Sequence, residues 1–163
     1  EAVAHEKRVS EDILLASRAS SSMPLLSPIV RVDGRLCMDG AVAGAIPLEW
    51  ALEAGYERIV LVLTREAGYC KKPTSRALAA AYDRMNHRYP KFAALCKTIP
   101  ERYGMLQERI SELEQTGRIF VIRPAEPVDV SRTERDVRKL KRLYRRGQQM
   151  ALERMASLKQ YLE

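Results

Sequence analysis

Histidine, cysteine and aromatic residues are scarce in this chain, and each scarcity closes off a class of function. The two histidines, His5 and His87, stand in no metal-binding spacing, so a three-histidine metal site cannot be built. The three cysteines, Cys37, Cys70 and Cys96, are widely spaced and odd in number, and no Cys-x-x-Cys occurs. That excludes a zinc ribbon or a disulfide framework and leaves reduced thiols, as in cytosolic proteins, as the expectation. No apolar run approaches the roughly 20 residues of a membrane span. The most apolar stretch, 41–54, is interrupted by Glu49 and Glu53. Near the start, Glu6-Lys7-Arg8 leads into mixed polar residues, which is not a secretory signal pattern. A cytoplasmic location is expected, with the membrane surface as the one lipid contact left open.

What is present is an ordinary globular composition. The chain has 163 residues, 46% of them apolar and 30% charged, which by length suits one domain. Its net charge of +7 is uneven. Residues 1–130 hold 18 basic and 17 acidic side chains, whereas residues 131–163 hold 10 and 4. A near-neutral body therefore carries a basic tail, which points to an acidic or phosphate-bearing partner rather than to a histone-like chain.

The local pattern alternates helix and strand. Residues 11–18 read as a helix, which the Ser- and Pro-rich segment 19–24 breaks. Asp33-Gly34 between two short apolar runs, 29–32 and 35–38, signals a hairpin. Pro47 can open a helix that Gly55 closes. Residues 58–64 carry a run of branched residues and leucine that fits a strand buried on both faces. Strand, helix and strand over 35–64 then read as a βαβ unit. Residues 75–115 are helical with interruptions near Pro90 and Pro100, and 118–122 form another buried-type strand. Ser131, with Glu134 three residues on, has the spacing of a capping box for a long last helix.

Residues 19–65 carry a resemblance. Ala19-Ser20-Ser21-Ser22-Met23-Pro24, then Leu26-Ser27-Pro28-Ile29-Val30, then Asp33-Gly34-Arg35-Leu36-Cys37-Met38-Asp39-Gly40-Ala41, Ile46-Pro47, Ala54-Gly55 and Ile59-Val60-Leu61-Val62 stand in the order and spacing of one known segment. It resembles the second half of the patatin-like phospholipase family, in which an Ala-Ser-x-x-x-Pro segment precedes a hairpin ending in Asp-Gly-Gly or Asp-Gly-Ala. The later Ile122-Arg123-Pro124 and the basic end resemble the C-terminal extension of bacterial members. The resemblance implies an α/β fold, part of a three-layer α/β/α sheet. Residues 1–66 would be the C-terminal half of the catalytic domain. Residues 67–163 would be a largely helical extension. It also implies that Asp39 is the catalytic carboxylate of a Ser–Asp dyad that cleaves lipid acyl esters, with no metal or organic cofactor.

One departure is large. The family's nucleophile lies in Gly-x-Ser-x-Gly, preceded by a Gly-rich oxyanion loop, and the eight glycines here form no such motif. Both elements would lie upstream of Glu1, so the expectation is the C-terminal part of a longer enzyme, inactive by itself. The chemistry of Asp39 is sound on physical grounds. A serine hydroxyl needs a positioned base, and a carboxylate held close in a water-poor cleft can take its proton directly. Gly40, lacking a Cβ, would permit a tight turn and a close approach of substrate or nucleophile loop.

Other residues are weighed against duller roles. By pattern alone an Asp-Gly is a turn, and Asp33-Gly34 is read so. Ser20, Ser21 and Ser22 lack a nucleophile elbow and suit loop or capping roles. His87 with Asp83 has i, i+4 spacing, the common arrangement of a solvated helix pair. Cys37 beside Asp39 is read as a structural thiol.

In the last helix Val137, Leu140, Tyr144, Ala151, Met155, Leu158 and Leu162 follow helical spacing, with six basic residues near its start. A docking helix with a solvated basic face is the primary reading. Contact with an anionic membrane surface is the functional one. The alternative is a binding module whose basic helix engages nucleic acid or an acidic partner; of these nucleic acid is the less expected, because only Tyr144 and Tyr161 could stack on single strands. Missing sheet strands would leave an edge open to self-association.

Overall fold

The computed structural model describes residues 10–131 and 133–163. In chain order the elements are α1 (Ser10–Ser20), β1 (Val30–Val32), β2 (Arg35–Cys37), a 3₁₀ turn (Gly40–Val42), α2 (Leu48–Glu53), β3 (Ile59–Val62), α3 (Arg76–Asn86), α4 (Pro90–Lys97), α5 (Ile99–Gln115), β4 (Ile119–Ile122) and α6 (Val137–Leu162). The chain divides into two compact units. One comprises Glu1–Leu48 and Lys71–Tyr103, the other Glu49–Cys70 and Gly104–Glu163. The α/β class expected from the sequence is borne out.

In the first unit Asp33-Gly34 makes the expected hairpin turn. Both residues have positive φ, 48° and 76°, the requirement of a type I′ turn. The resulting antiparallel pair sets Val30 against Cys37 and Val32 against Arg35. Its inner side, Val30 and Val32, packs with Ala19 of α1 and with Cys37. A second cluster joins Val42 to Tyr82 of α3 and Cys96 of α4, with Met85, Phe92, Leu95 and Ile99 around it. Ser75 caps α3 by accepting the Leu78 N–H at 3.3 Å. Pro90 opens α4 and Pro100 lies in the first turn of α5, where a missing N–H costs nothing, so both prolines mark helix starts as expected.

In the second unit β3 and β4 pair in parallel, Ile59 with Ile119 through Val62 with Ile122. Two helices reach this sheet through Schellman ends. The N–H groups of Gly55 and Tyr56 bond back to Leu52 and Ala51, and those of Gly117 and Arg118 to Glu114 and Leu113. Gly55 and Gly117 stand at φ 79° and 68°, the left-handed position this motif needs. Ile110 and Leu113 of α5 are buried, as are all four residues of β4.

Three expectations are corrected here. Residues 35–64 do not form a βαβ unit, because β2 pairs with β1 and β3 with β4. β4, Ile-Phe-Val-Ile, is apolar throughout and suits a parallel partner, whereas β2, Arg-Leu-Cys, exposes Arg35 and Leu36. Nor is β3 covered on both faces: Ile59 is buried, but Val60 is exposed and Val62 is 72% exposed. The last helix starts at Val137, not at Ser131. Asp136 is its cap, accepting the Arg138 N–H at 2.8 Å and the Lys139 N–H at 3.4 Å. Glu134 instead accepts the N–H groups of Arg135 and Asp136, and these bonds lower its pKa.

The C-terminal turn of α6 is tied to the sheet by one phenol. Tyr161 accepts the Ile59 N–H at 3.0 Å and donates to the Arg118 carbonyl at 3.0 Å, while its ring lies 5.5 Å from that of Phe120. Phe120 also faces the guanidinium of Arg154. Tyr161→Phe removes both hydrogen bonds but keeps the ring. It is expected to lower stability by about 1–3 kcal/mol in urea denaturation, because the Ile59 N–H loses its partner.

Candidate functional site

Within the first unit, residues 19–41 of the segment singled out by its motif order fold as a connected piece. The first motif, 19–24, runs from the end of α1 into a turn in which Leu26 N–H bonds to the Met23 carbonyl at 3.2 Å. Pro24 and Leu25 occupy the centre of that turn, and Leu25 has φ 67°. A left-handed leucine is strained, and such residues persist where the surroundings over-determine them. Downstream, Asp39 follows β2 by two residues. Its N–H donates to the Ser22 carbonyl at 2.9 Å, joining the second motif to the first.

Asp39 is half-buried and caps the 3₁₀ turn, with Oδ1 accepting the Ala41 N–H at 2.8 Å. Among the described residues Oδ2 takes no hydrogen bond and is open to receive a proton. The expectation for Gly40 is corrected in its conformational part. Gly40 is not in the left-handed region, and a Cβ there would meet only Ser20 Oγ, at 3.9 Å. The chain's own backbone therefore does not require glycine at 40.

Two of the three serines near Asp39 use their hydroxyls on carbonyls of α1. Ser21 Oγ donates to the Ser17 carbonyl at 2.9 Å, and Ser22 Oγ to the Arg18 carbonyl at 2.8 Å. Both hydroxyls close the last turn of α1 rather than capping a helix start. Asp83 pairs with Lys97, and His87 is an exposed residue at the end of α3. His5 lies outside the described residues. Cys37 packs against the hairpin, Cys70 is exposed and Cys96 is 1% exposed, and none forms a disulfide. A cleft of about 520 Å³ in the second unit, lined by Val128, Leu143, Arg146 and Met150 among others, includes no residue of segment 19–41.

Sequence reasoning missed Arg102, which holds the Asp39 turn. From α5 its guanidinium donates to the carbonyls of Ala43 at 2.8 Å, of Val42, and of Leu95 at 3.0 Å, while Nε donates to Thr98 Oγ1 at 3.1 Å. Val42 and Ala43 directly follow the Asp39 cap, and Leu95 lies in the last turn of α4, where carbonyls lack helical partners. A rigid planar fork can meet several carbonyls at once, which an ammonium group cannot. No motif spacing announces this role, since the two carbonyls of the Asp39 turn that it holds are backbone atoms 59 and 60 residues away. Burial beside this cluster pushes the Cys96 thiol up to about 11, with the Arg102 charge partly opposing it.

Two family models match the chain. Residues 3–52 match the patatin-like phospholipase model, and residues 89–163 match a domain of unknown function, DUF6363. The first match supports the patatin-like phospholipase family, a family of lipid hydrolases. It contains the Asp39 segment with α1, the hairpin and most of α2. The second contains α4, α5, β4 and α6. No curated protein and no solved structure matches the chain. No described helix is long and apolar enough to cross a membrane.

Arg102→Ala leaves three carbonyls without their donor and is expected to cost about 2–4 kcal/mol in chemical denaturation, with Arg102→Lys recovering only part. Cys96 supplies a pH test. Its thiol is raised from 9.0 to about 11 in the folded state, so its contribution is intact below 9.0 and is lost as pH rises to about 11. Urea midpoints across that window should fall more steeply for the native protein than for Cys96→Ala, by up to about 2 kcal/mol.

Proposed function

We propose that the chain contributes the carboxylate of a Ser–Asp dyad to a patatin-type lipid acyl hydrolase, with Asp39 as the base. The observation that carries this reading is the hydrogen bond from Asp39 N–H to the Ser22 carbonyl. It joins the 19–24 segment to the end of the hairpin, two of the segments that carry the family resemblance. The match over residues 3–52 supports the same class. In the proposed domain division, residues 1–66 belong to the catalytic domain and 67–163 to its extension.

The chemistry uses the free oxygen of Asp39. A serine in a Gly-x-Ser-x-Gly elbow gives its hydroxyl proton to Asp39 Oδ2 as its Oγ attacks the ester carbonyl. The neutral Asp39 then protonates the departing alcohol, leaving an acyl-serine. Asp39 next takes a proton from water, whose oxygen attacks the acyl carbonyl. The proton returns to serine as the fatty acid leaves. Oδ1, held by the Ala41 N–H, fixes the carboxylate throughout. Gly40 leaves room for the nucleophile's turn to approach, a role that lies outside this chain's own backbone needs.

The elbow cannot be formed from the glycines of this chain, so the chain alone is expected to show no serine-dependent ester hydrolysis. Joined to a segment carrying the elbow, it is expected to release fatty acid from phospholipid vesicles. In that protein Asp39→Asn keeps the cap on Ala41 and should lower kcat by about 100-fold or more while the melting temperature stays put. Gly40→Ala should likewise fold but lose turnover. Full activity in Asp39→Asn would overturn the assignment.

A further inference from the structure

Helix α6 presents two different faces. Leu143, Met150, Leu158 and Tyr161 are partly buried on the side toward the body of the second unit. At about 100° per residue, Val137, Leu140, Tyr144, Ala151, Met155 and Leu162 fall within a sector of roughly 60° beside that side. Apart from half-buried Ala151 this second row faces water, with partly buried Leu158 at its boundary with the packed side. Tyr144 is 71% exposed, Val137 59%, and Leu140, Met155 and Leu162 are exposed as well. Of the row expected to dock, Ala151 and Leu158 are partly buried, and the rest is exposed.

The exposed row is bordered by positive charge. Residues 137–146 hold six basic side chains and no acidic one. Arg146 pairs with Glu126, and Lys139 lies 3.8 Å from Glu134. Arg138, Lys141, Arg142 and Arg145 occupy the flank on the other side of the apolar row, and all are exposed. Among the described residues Lys141, Arg142 and Arg145 make no ion pair. Aliphatic side chains facing water beside a block of unpaired cations suit one environment well. The apolar row enters the acyl boundary while the basic flank meets anionic headgroups.

The alternatives fit less of this pattern. Nucleic acid would use the cations but gives no role to exposed Val137, Leu140 and Met155. A second copy of the helix would cover the apolar row, but it would bring its own block of positive charge. The C-terminal half, with Glu153, Arg154, Lys159 and Glu163, is neutral and offers no complement.

We infer that α6 lies on anionic membrane surfaces, with its exposed apolar row inserted and Lys141, Arg142 and Arg145 on the headgroups. The inference is independent of the Asp39 assignment, since it concerns docking and not hydrolysis. Flotation of the whole chain with vesicles of equal parts phosphatidylglycerol and phosphatidylcholine tests it. Binding is expected there and not on phosphatidylcholine alone, and it should weaken as salt rises. Changing Lys141, Arg142 and Arg145 to Gln together should reduce binding on the order of 100-fold. Tyr144→Glu, at an exposed site where folding is insensitive, should reduce it by about tenfold or more.

Asp39→Asn should bind like the native chain, so a failure of the hydrolase assignment leaves this result standing, and the reverse. Equal binding to both vesicles, or none to either, overturns the inference. So does a dimer in sedimentation that Tyr144→Glu dissociates, or tighter binding to RNA than to the anionic vesicles.

Discussion

The Arg102 guanidinium is the fixed point of the first unit. Three carbonyls from two segments converge on it, two just after the Asp39 cap and one at the end of α4. The 3₁₀ turn is only three residues long and cannot hold itself in place by its own hydrogen bonds. Its position is set from both sides: the Ser22 carbonyl accepts the Asp39 N–H before the turn, and Arg102 donates to the Val42 and Ala43 carbonyls after it. The apolar contacts of Val42 with Tyr82 and Cys96 fill the space between. A carboxylate proposed as a base needs this kind of support, because misplacing a reacting group by about one ångström can cost on the order of 100-fold in rate.

The sequence made the local elements legible and left their partners obscure. The two Asp-Gly pairs show why. Asp33-Gly34 sits between two strands that pair with each other, and both residues adopt positive φ. Asp39-Gly40 has the same chemistry, yet Asp39 stands at φ −46° and caps a turn, because its N–H finds Ser22 rather than a strand partner. The apolar runs on both sides of Asp33-Gly34 announce the hairpin, but nothing near Asp39-Gly40 announces Ser22 as its partner. The start of α6 is a similar case: Ser131 and Glu134 have capping spacing, but Asp136 sits one residue before the first helical position and wins the helix N–H groups. In β3 the apolar run was plain, but whether each face meets a neighbour depends on what the rest of the fold supplies, and the Val60 and Val62 face meets little. Asp39 came from motif order, whereas Arg102, acting on backbone oxygens, leaves no pattern to read.

The matched segments and the compact units divide the chain differently. The patatin-like match ends inside α2, and the second match begins just before α4. Between them lies β3, the only strand that pairs with β4 among the described residues. The strand on which the second matched segment builds its core thus comes from outside it. Tyr161 crosses the same divide, bonding the last turn of α6 to Ile59. Arg102, inside the second match, also holds Val42 and Ala43 of the first, so the two segments are parts of one folding problem.

The threading of the chain also sets an order of events during synthesis. Fifty-six residues separate the end of β3 from the start of β4. All of the first unit has left the ribosome once Tyr103 emerges, before any of β4 has emerged. The first unit can close around Arg102 while β3 is still waiting, a lone strand with apolar side chains and no ladder. Parallel pairing over that separation forms late, because the intervening loop must be closed first. The nascent chain therefore passes through a stage with one finished unit and one exposed strand, and that strand is the point a chaperone would be expected to hold.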